Sequence, residues 1–333
     1  FTFHFSLFTF HFSLFTFHFS LFTFHFSLFT FHFSPFTVHR SPFTVHRSPK
    51  MKHALVIQGG GFRTAFSSGV LDAFLEEEYF PFDIIAAVSG GAIAASYFIA
   101  QQKEHCFRSI CFLSEKGRFV NINRALRAGP LMDIDIFHAI SNKHFPFDKT
   151  LATERLIGKK FAIVMTNRAN GQPHYCDPTT TNWEEAVIAS CSLPFITKGK
   201  QHLNGNDYID GAWGDPLPVE WAAEQGATTI TVVRTSPPFE RQNKSWFDRI
   251  GELYYLKNPS LRNAFSENHL RFNRSIDFIE NPPDGIAIHQ IAPDFALKAG
   301  LYTQSKEHLE DDYRYGFALG KQYCTMQQTV ISE

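Results

Sequence analysis

In residues 53–100 the same succession of segments occurs twice: an apolar run, a glycine-containing loop and a helical stretch. The apolar runs are 53–58 (HALVIQ) and 83–88 (DIIAAV), and both have the length of buried strands. Apolar residues at helical spacing follow in 64–79 and 92–100. Strands joined through helices pair in parallel, with the helices covering the sheet. The order therefore predicts an α/β fold with a mainly parallel central sheet.

The chain beyond residue 100 continues this pattern. Further strands are predicted at 161–166, 172–176, 228–233 and 286–291, and a short strand running into a loop at 207–214. Further helices are predicted at 183–192, 218–224 and 305–323, and a helical, aromatic region at 245–279. Residues 101–155 have a mixed pattern of helix and loop. No linker is long enough to divide residues 51–333. We therefore expect one domain there, with a core over about 53–235 and a helical C-terminal extension over about 240–333.

Residues 1–49 are different, because they consist of seven copies of a seven-residue unit. Four copies read FTFHFSL, one reads FTFHFSP and two read FTVHRSP. A period of seven is typical of coiled coils, apolar alternation is typical of aggregating strands, and regularly spaced His can bind metal. As an ordered module, however, the repeat would expose large Phe-rich patches on a soluble monomer.

A short DNA repeat accounts for this unit more completely. The bases TTCACTT, repeated without interruption, shift frame at each copy and encode FTFHFSL, while the variant TTCACCG encodes FTVHRSP. We therefore expect residues 1–50 to be a translated simple-sequence repeat, disordered and outside the native protein, with Met51 as the initiator. Because seven is not a multiple of three, a frame switched by copy number is the alternative. N-terminal sequencing of the natural protein distinguishes these interpretations.

Charge and cysteine content narrow the classes of function. The net charge is −1, and omitting Arg40, Arg47 and Lys50 leaves residues 51–333 at −4, without the basic clusters of a nucleic-acid binder. The five Cys include no CxxC pair or His/Cys cluster, which favours a reducing compartment. The sequence has no stretch of about 20 uninterrupted apolar residues, so no membrane-spanning helix is expected. We also expect no signal peptide before or after Met51. We expect a cytoplasmic protein that contacts membranes, if at all, at their surface.

Three segments carry candidate chemistry. Residues 58–63 (QGGGFR) place a glycine triplet between a strand and a helix, where backbone N–H groups can bind an oxyanion or a phosphate. Residues 87–91 (AVSGG) resemble the G-x-S-x-G nucleophile elbow, with Ala87 in place of the first glycine. Residues 208–212 (YIDGA) put Asp210 at a strand end, where a carboxylate can accept the proton of Ser89.

Together these segments resemble the patatin-like phospholipase family, including its bacterial members. The similarity covers most of residues 53–235 and includes the small-residue segment 189–194 (ASCSLP). Two departures are Ala87 in the elbow and Thr64, where the family usually has another glycine. The resemblance implies a three-layer α/β/α patatin-like fold and a serine acyl hydrolase that cleaves carboxylic esters of lipids. It implies no metal and no cofactor, and a lipid or other acyl ester as the partner.

The resemblance also implies a role for individual residues. Ser89 would be the nucleophile and Asp210 its base, without an intervening His. The other expected site residues are the oxyanion loop Gly59, Gly60, Gly61, Phe62 and Arg63, the elbow residues Ala87, Gly90 and Gly91, and the proton-acceptor loop residues Gly211 and Ala212.

Several alternatives remain at the level of sequence. His174 and His202 lie near predicted strand ends and could complete a Ser-His-Asp triad. A dinucleotide-binding fold is disfavoured, because G-x-G-x-x-G fails at Thr64 and no acidic residue ends the second strand. A non-lipid esterase or thioesterase with the same dyad, or a non-catalytic binding protein on this fold, would share the motifs. The oligomeric state is not predicted.

Overall fold

The computed structural model describes residues 51–333 apart from 116–118, 122, 124–126, 128, 304 and 333. The side chains of 135–138 and 330–332 are not described either. The predictions made for residues 1–50 lie outside this range.

An eight-stranded sheet forms the centre of the described part of the chain. Its strands are β1 (His53–Ile57), β2 (Ile84–Val88), β3 (Lys160–Asn167), β4 (Pro173–Cys176), β5 (Gln201–Leu203), β6 (Asn206–Asp210), β7 (Thr229–Val233) and β8 (Ala287–Ile291). The hydrogen-bonded order is β5-β6-β3-β2-β1-β7-β8, and β4 also pairs with β3. The pairs along β3-β2-β1-β7-β8 are parallel, whereas β4, β5 and β6 join in antiparallel pairs. The predicted, mainly parallel sheet is confirmed.

Helices cover both faces of this sheet. They are α1 (Thr64–Glu76), α2 (Gly90–Ile99), α3 (His105–Ser114), α4 (Ile134–His144), α5 (Lys149–Arg155), α6 (Trp183–Ser190), α7 (Val219–Glu224), α8 (Trp246–Tyr254), α9 (Pro259–Ser266), α10 (Asn268–Glu280) and α11 (Lys306–Ser332). Alternate residues of β1 enter different cores: Leu55 and Ile57 pack with α1 and α2, and Ala54 and Val56 pack with α7 and α10. This arrangement is the expected three-layer α/β/α fold with a helical C-terminal part.

The burial of the inner strands explains why these strands could be predicted from the sequence. Every residue of β2 is buried, as are all but the first of β1 and of β7. A strand covered by helices on both faces reads as a continuous apolar run, and these three strands lie in the middle of the sheet.

The C-terminal helix α11 is longer than predicted and packs along α1. The two backbones approach closely at glycines: a Cβ on Gly69 would overlap the backbone of Tyr313, and one on Gly316 would overlap the backbone of Phe66. A third contact is formed by Asp72, whose carboxylate accepts from the Tyr313 hydroxyl at 2.9 Å. Helix α11 thus holds the helix that follows the glycine loop.

The short strand expected to run into a loop over 207–214 is β6, which ends at Asp210, and residues 211–213 form a 3₁₀ turn. Strand β5 was not predicted, because its three residues (QHL) show no alternation long enough to recognise.

Candidate active site

Ser89 occupies a tight turn between β2 and α2. Its φ of 53° and ψ of −128° are unusual for a residue with a side chain and cost about 1–3 kcal/mol. The turn requires small neighbours: a Cβ on Gly90 would overlap Thr64 Oγ1, and one on Gly91 would lie 2.7 Å from the Ile57 carbonyl oxygen. The geometry is that expected of a nucleophile elbow.

Ala87, the departure from the elbow pattern, lies inside β2. It pairs with Ile57 of β1 and with Ile163 of β3. Regular strand backbone accepts any L residue, and Ala87 is fully buried between two other strands. A small side chain is therefore sufficient at this position.

Asp210 reaches Ser89 because β2 and β6 end toward each other on one edge of β3. Val88 pairs with Val164, and Asp210 pairs with the next residue of β3, Met165. Strand β4 pairs along the opposite edge of the same stretch. The residue that follows β2 and the last residue of β6 therefore meet, and Ser89 Oγ donates to Asp210 Oδ2 at 2.6 Å.

The surroundings of Asp210 favour its protonated form. The residue is fully buried, and this burial raises the pKa of its carboxyl to about 7, against hydrogen bonds from Ser89 and Ala212 that lower it. The Ala212 N–H donates to Asp210 Oδ1 at 2.9 Å. The absence of a side chain at Gly211 allows the turn after Asp210 to lie close to β3, since a Cβ there would overlap the Val164 carbonyl.

Neither candidate histidine joins this pair. His202 is exposed and its Nδ1 lies 3.1 Å from Asp207 Oδ1. The ring of His174 packs 5.1 Å from that of Tyr208. Among the described residues, the Ser89 hydroxyl donates directly to the carboxylate and no imidazole stands between them.

Some backbone N–H groups of the glycine loop donate hydrogen bonds within the chain, and others have no acceptor among the described residues. The Arg63 N–H donates to the Gly60 carbonyl at 3.2 Å, and the Phe62 N–H donates to the Leu301 carbonyl at 3.4 Å. The Arg63 Nε also donates to the Gly60 carbonyl, at 3.3 Å, so this side chain braces the loop. Of the five residues expected in the oxyanion loop, Gly59, Gly60 and Gly61 have N–H groups with no acceptor in the described part of the chain.

Two further features of the loop were not visible in the sequence. Gly61 has a φ of +57°, and a Cβ there would collide with Leu301, which belongs to the segment before α11. Gly90, assigned to the elbow, is the first residue of α2, so its N–H has no partner within the helix. Its position next to Ser89 makes this N–H another possible oxyanion donor.

An apolar pocket opens on Ser89. Besides Ser89, Gly61, Gly90 and Thr64, it is lined by Phe62, Ile93, Ile110, Leu113, Phe119, Met132, Ile134, Cys191 and Leu193. Several of these side chains come from residues 101–155, for which no site was predicted from the sequence. An apolar pocket beside a serine hydroxyl suits a hydrocarbon chain.

Comparisons with known proteins identify the family of this chain. The sequence model of the patatin-like phospholipase family matches residues 55–223, which include Ser89 and Asp210. A domain of unknown function (DUF6363) matches residues 258–331. The chain is 31% identical over 285 residues to the uncharacterized protein YjjU of Escherichia coli (strain K12), covering 84% of this chain and 79% of YjjU.

Among solved structures, VipD from Legionella pneumophila is similar over 84% of this chain and 67% of that chain, with a TM-score of 0.41 and 12% identity. The family match defines the class: an α/β lipid acyl hydrolase of the phospholipase type. The chain belongs to the patatin-like phospholipase family.

Proposed function

We propose that this protein hydrolyses carboxylic esters of lipids with Ser89 as the nucleophile and Asp210 as the base. The observation that carries the proposal is the 2.6 Å hydrogen bond from Ser89 Oγ to Asp210 Oδ2, at the base of an apolar pocket. A strained serine, a buried carboxylate in direct contact with it and available N–H groups nearby are the parts that acyl transfer needs.

The reaction proceeds in two steps. Ser89 Oγ attacks the acyl carbonyl carbon while its proton passes to Asp210, and the N–H groups of Gly60, Gly61 and Gly90 receive the oxyanion. Asp210 then gives the proton to the departing alcohol, which leaves an acyl-serine. A water molecule, deprotonated by Asp210, attacks this ester and releases the fatty acid, and Ser89 recovers its proton.

The raised pKa of Asp210 suits this role. A carboxylate with an ordinary pKa near 4 is a weak base toward a serine hydroxyl. Burial raises the pKa of Asp210 to about 7, which brings the carboxyl close to neutral pH, where a general base is both available and effective.

The outward face of α8 supports a lipid substrate and contact with a membrane. Its exposed residues at positions i, i+4, i+7 and i+8 are Trp246, Ile250, Leu253 and Tyr254, which are 64, 41, 69 and 68% exposed. On the other side of the helix, Asp248 and Gly251 are buried. We call the four exposed side chains the α8 stripe. An outward apolar row of this kind is typical of helices that lie in a membrane interface.

The α8 stripe contacts the chain segment that follows a lining residue of the pocket. The ring of Tyr254 contacts that of Phe195 at 5.0 Å, and Leu193, two residues earlier, lines the pocket with Ser89. Helix α8 is also tied to the turn after Asp210, because Trp213 Nε1 donates to Asp248 Oδ1 at 3.2 Å. A bilayer on the stripe would therefore bring lipid close to the mouth of the pocket.

Basic residues accompany the stripe. Arg249 and Lys257 are exposed on and just after α8, and Arg262 is exposed on α9. The acids within α8 are otherwise engaged, since Asp248 is buried and Glu252 pairs with Lys244 at 2.5 Å. This balance favours a surface with anionic headgroups. Among the described residues, no helix combines the length and the apolar character needed to cross a bilayer.

Release of fatty acid tests the proposal. Residues 51–333 and the Ser89→Ala variant would be incubated with phospholipid, lysophospholipid and neutral-lipid substrates, and free fatty acid would be measured. We expect release from at least one lipid class by the wild type and none above background by the variant. Equal release by both proteins, or release from soluble esters and thioesters alone, would count against a lipid hydrolase.

A further inference from the structure

Thr64 has a buried hydroxyl without a partner beside the nucleophile. The residue is 1% exposed and begins α1, directly after the glycine loop. Its Oγ1 neither donates nor accepts a hydrogen bond within the described residues. Of the buried side-chain atoms in this condition, Oγ1 of Thr64 is the one whose residue lines the pocket with Ser89.

The ordinary uses of a threonine at a helix start do not apply to this hydroxyl. The N-cap position is Arg63, and no side chain caps α1. The other polar groups of Thr64 are engaged, because its N–H donates to the Gly61 carbonyl and its carbonyl accepts from Ser68 Oγ at 2.9 Å. Burying a hydroxyl without a partner destabilises a fold, so a buried, unpartnered hydroxyl that lines a pocket is a candidate contact for a bound substrate.

The hydroxyl is adjacent to the proposed oxyanion donors. A Cβ on Gly90 would overlap Thr64 Oγ1 and would lie 3.1 Å from the Gly61 carbonyl oxygen. Thr64 Oγ1 therefore lies between the residue that follows Ser89 and the glycine loop. An oxyanion bound by the N–H groups of Gly90 and Gly61 would form in this neighbourhood.

We propose that the Thr64 hydroxyl donates a hydrogen bond to the oxyanion that forms when Ser89 attacks the acyl carbonyl. This inference rests on the proposed hydrolase function. The carbonyl π electrons move to the oxygen as the Ser89 Oγ–carbon bond forms, and the new negative charge accepts the Thr64 proton as a hydrogen bond. The proton stays on Thr64, and the hydrogen bond is lost when the tetrahedral intermediate collapses.

Two matched variants test this role. Thr64→Val keeps the shape and removes the hydroxyl, whereas Thr64→Ser keeps the hydroxyl and removes the methyl group. Steady-state hydrolysis of p-nitrophenyl butyrate gives kcat and KM, and thermal unfolding gives Tm. For Thr64→Val we expect kcat to fall on the order of 100-fold, as on loss of one oxyanion donor, with little change in KM. Thr64→Ser should retain most of kcat.

The Tm of Thr64→Val distinguishes a catalytic from a structural role of the hydroxyl. Removing an unpaired buried hydroxyl should raise Tm by about 2 °C while activity falls. An unchanged kcat in Thr64→Val, an equal loss in Thr64→Ser, or a change confined to KM would overturn the inference. A lower Tm with unchanged kcat would assign the hydroxyl to a structural water and also overturn it. A folded wild type that hydrolyses no ester would overturn the proposed function and this inference together.

Discussion

The backbone N–H of Ser89 donates to the hydroxyl of Ser190 at 2.8 Å. Ser190 Oγ in turn donates to the Val164 carbonyl at 2.6 Å. One buried hydroxyl thus connects the strained turn that carries Ser89, the proposed nucleophile, to strand β3, which also pairs with Asp210. Since β3 is bonded to Ser190 and paired with Asp210, Ser190 fixes the position of Ser89 relative to Asp210.

Replacing Ser190 with alanine should therefore affect both stability and reactivity. The change leaves the Ser89 N–H and the Val164 carbonyl unpaired in a buried site, which costs about 1–3 kcal/mol. We expect the free energy of unfolding in urea to fall by that amount, and reaction of Ser89 with a fluorophosphonate to slow.

Ser192→Ala is the matched control, because Ser192 is equally buried but its hydroxyl donates only to the Ile188 carbonyl in the preceding helix. Equal reactivity of Ser89 in both variants would mean that Ser190 does not position the nucleophile.

The raised pKa of Asp210 predicts a pH dependence. Below about pH 7 its carboxyl is protonated and cannot accept the Ser89 proton. We expect kcat/KM on a soluble ester to rise about tenfold per pH unit below that value and then to level off. Asp215 is a control, since burial raises its pKa to about 6 and its carboxylate bonds Tyr175 rather than Ser89. Asp215→Asn should keep the ascending limb, and a flat wild-type profile down to pH 5 would contradict the assignment.

Gly316 is predicted to set the distance between α1 and α11. An added Cβ meets the Phe66 backbone, which cannot move without separating the helices. We expect Gly316→Ala to lower the free energy of unfolding by about 1–3 kcal/mol, although alanine favours helix. At Gly300 the nearest atom to an added Cβ is Thr303 Oγ1 at 3.6 Å, so Gly300→Ala should be close to neutral. Comparable losses in both variants would argue against a close helix contact.

The α8 stripe is predicted to bind membranes. A double change, Ile250→Ser with Leu253→Ser, removes apolar area that would enter the interface, and binding should weaken at least about tenfold. Co-sedimentation with vesicles of phosphatidylcholine and phosphatidylglycerol measures this. Ile157→Ser is the control, because Ile157 is 79% exposed but lies after α5, outside the stripe. Unchanged vesicle binding by the double variant would show that the α8 stripe does not bind membranes. A wild-type dimer that dissociates in the double variant would show instead that the stripe binds a second copy of the chain.

The sequence revealed the parts of the fold that depend on local patterns. Strands β1, β2 and β7 are buried on both faces and appear as continuous apolar runs, and the loops at Gly60 and Ser89 contain glycines where the backbone turns sharply. The small segment 189–194 was recognised as a feature, but nothing local separates Ser190 from Ser192. The distinction depends on which hydroxyl faces the Ser89 turn.

Other features of the candidate site depend on contacts between distant segments. The Leu301 carbonyl accepts from the Phe62 N–H of the glycine loop, although Leu301 lies near the last helix. The sequence around Leu301 does not predict this contact. The meeting of β2 and β6 on one edge of β3 follows from strand register, which short edge strands do not encode in their periodicity. The burial of the Thr64 hydroxyl without a hydrogen-bond partner among the described residues likewise depends on the three-dimensional arrangement.

Covalent labelling of Ser89 tests the central claim most directly. Residues 51–333, Ser89→Ala and Asp210→Asn would be treated with a fluorophosphonate, and adduct formation would be followed by intact mass and peptide mapping. The dyad predicts one adduct on Ser89 in the wild type, none in Ser89→Ala, and labelling slowed on the order of 100-fold or more in a folded Asp210→Asn. A wild type that does not react, or an Asp210→Asn variant that reacts at the wild-type rate, would contradict it.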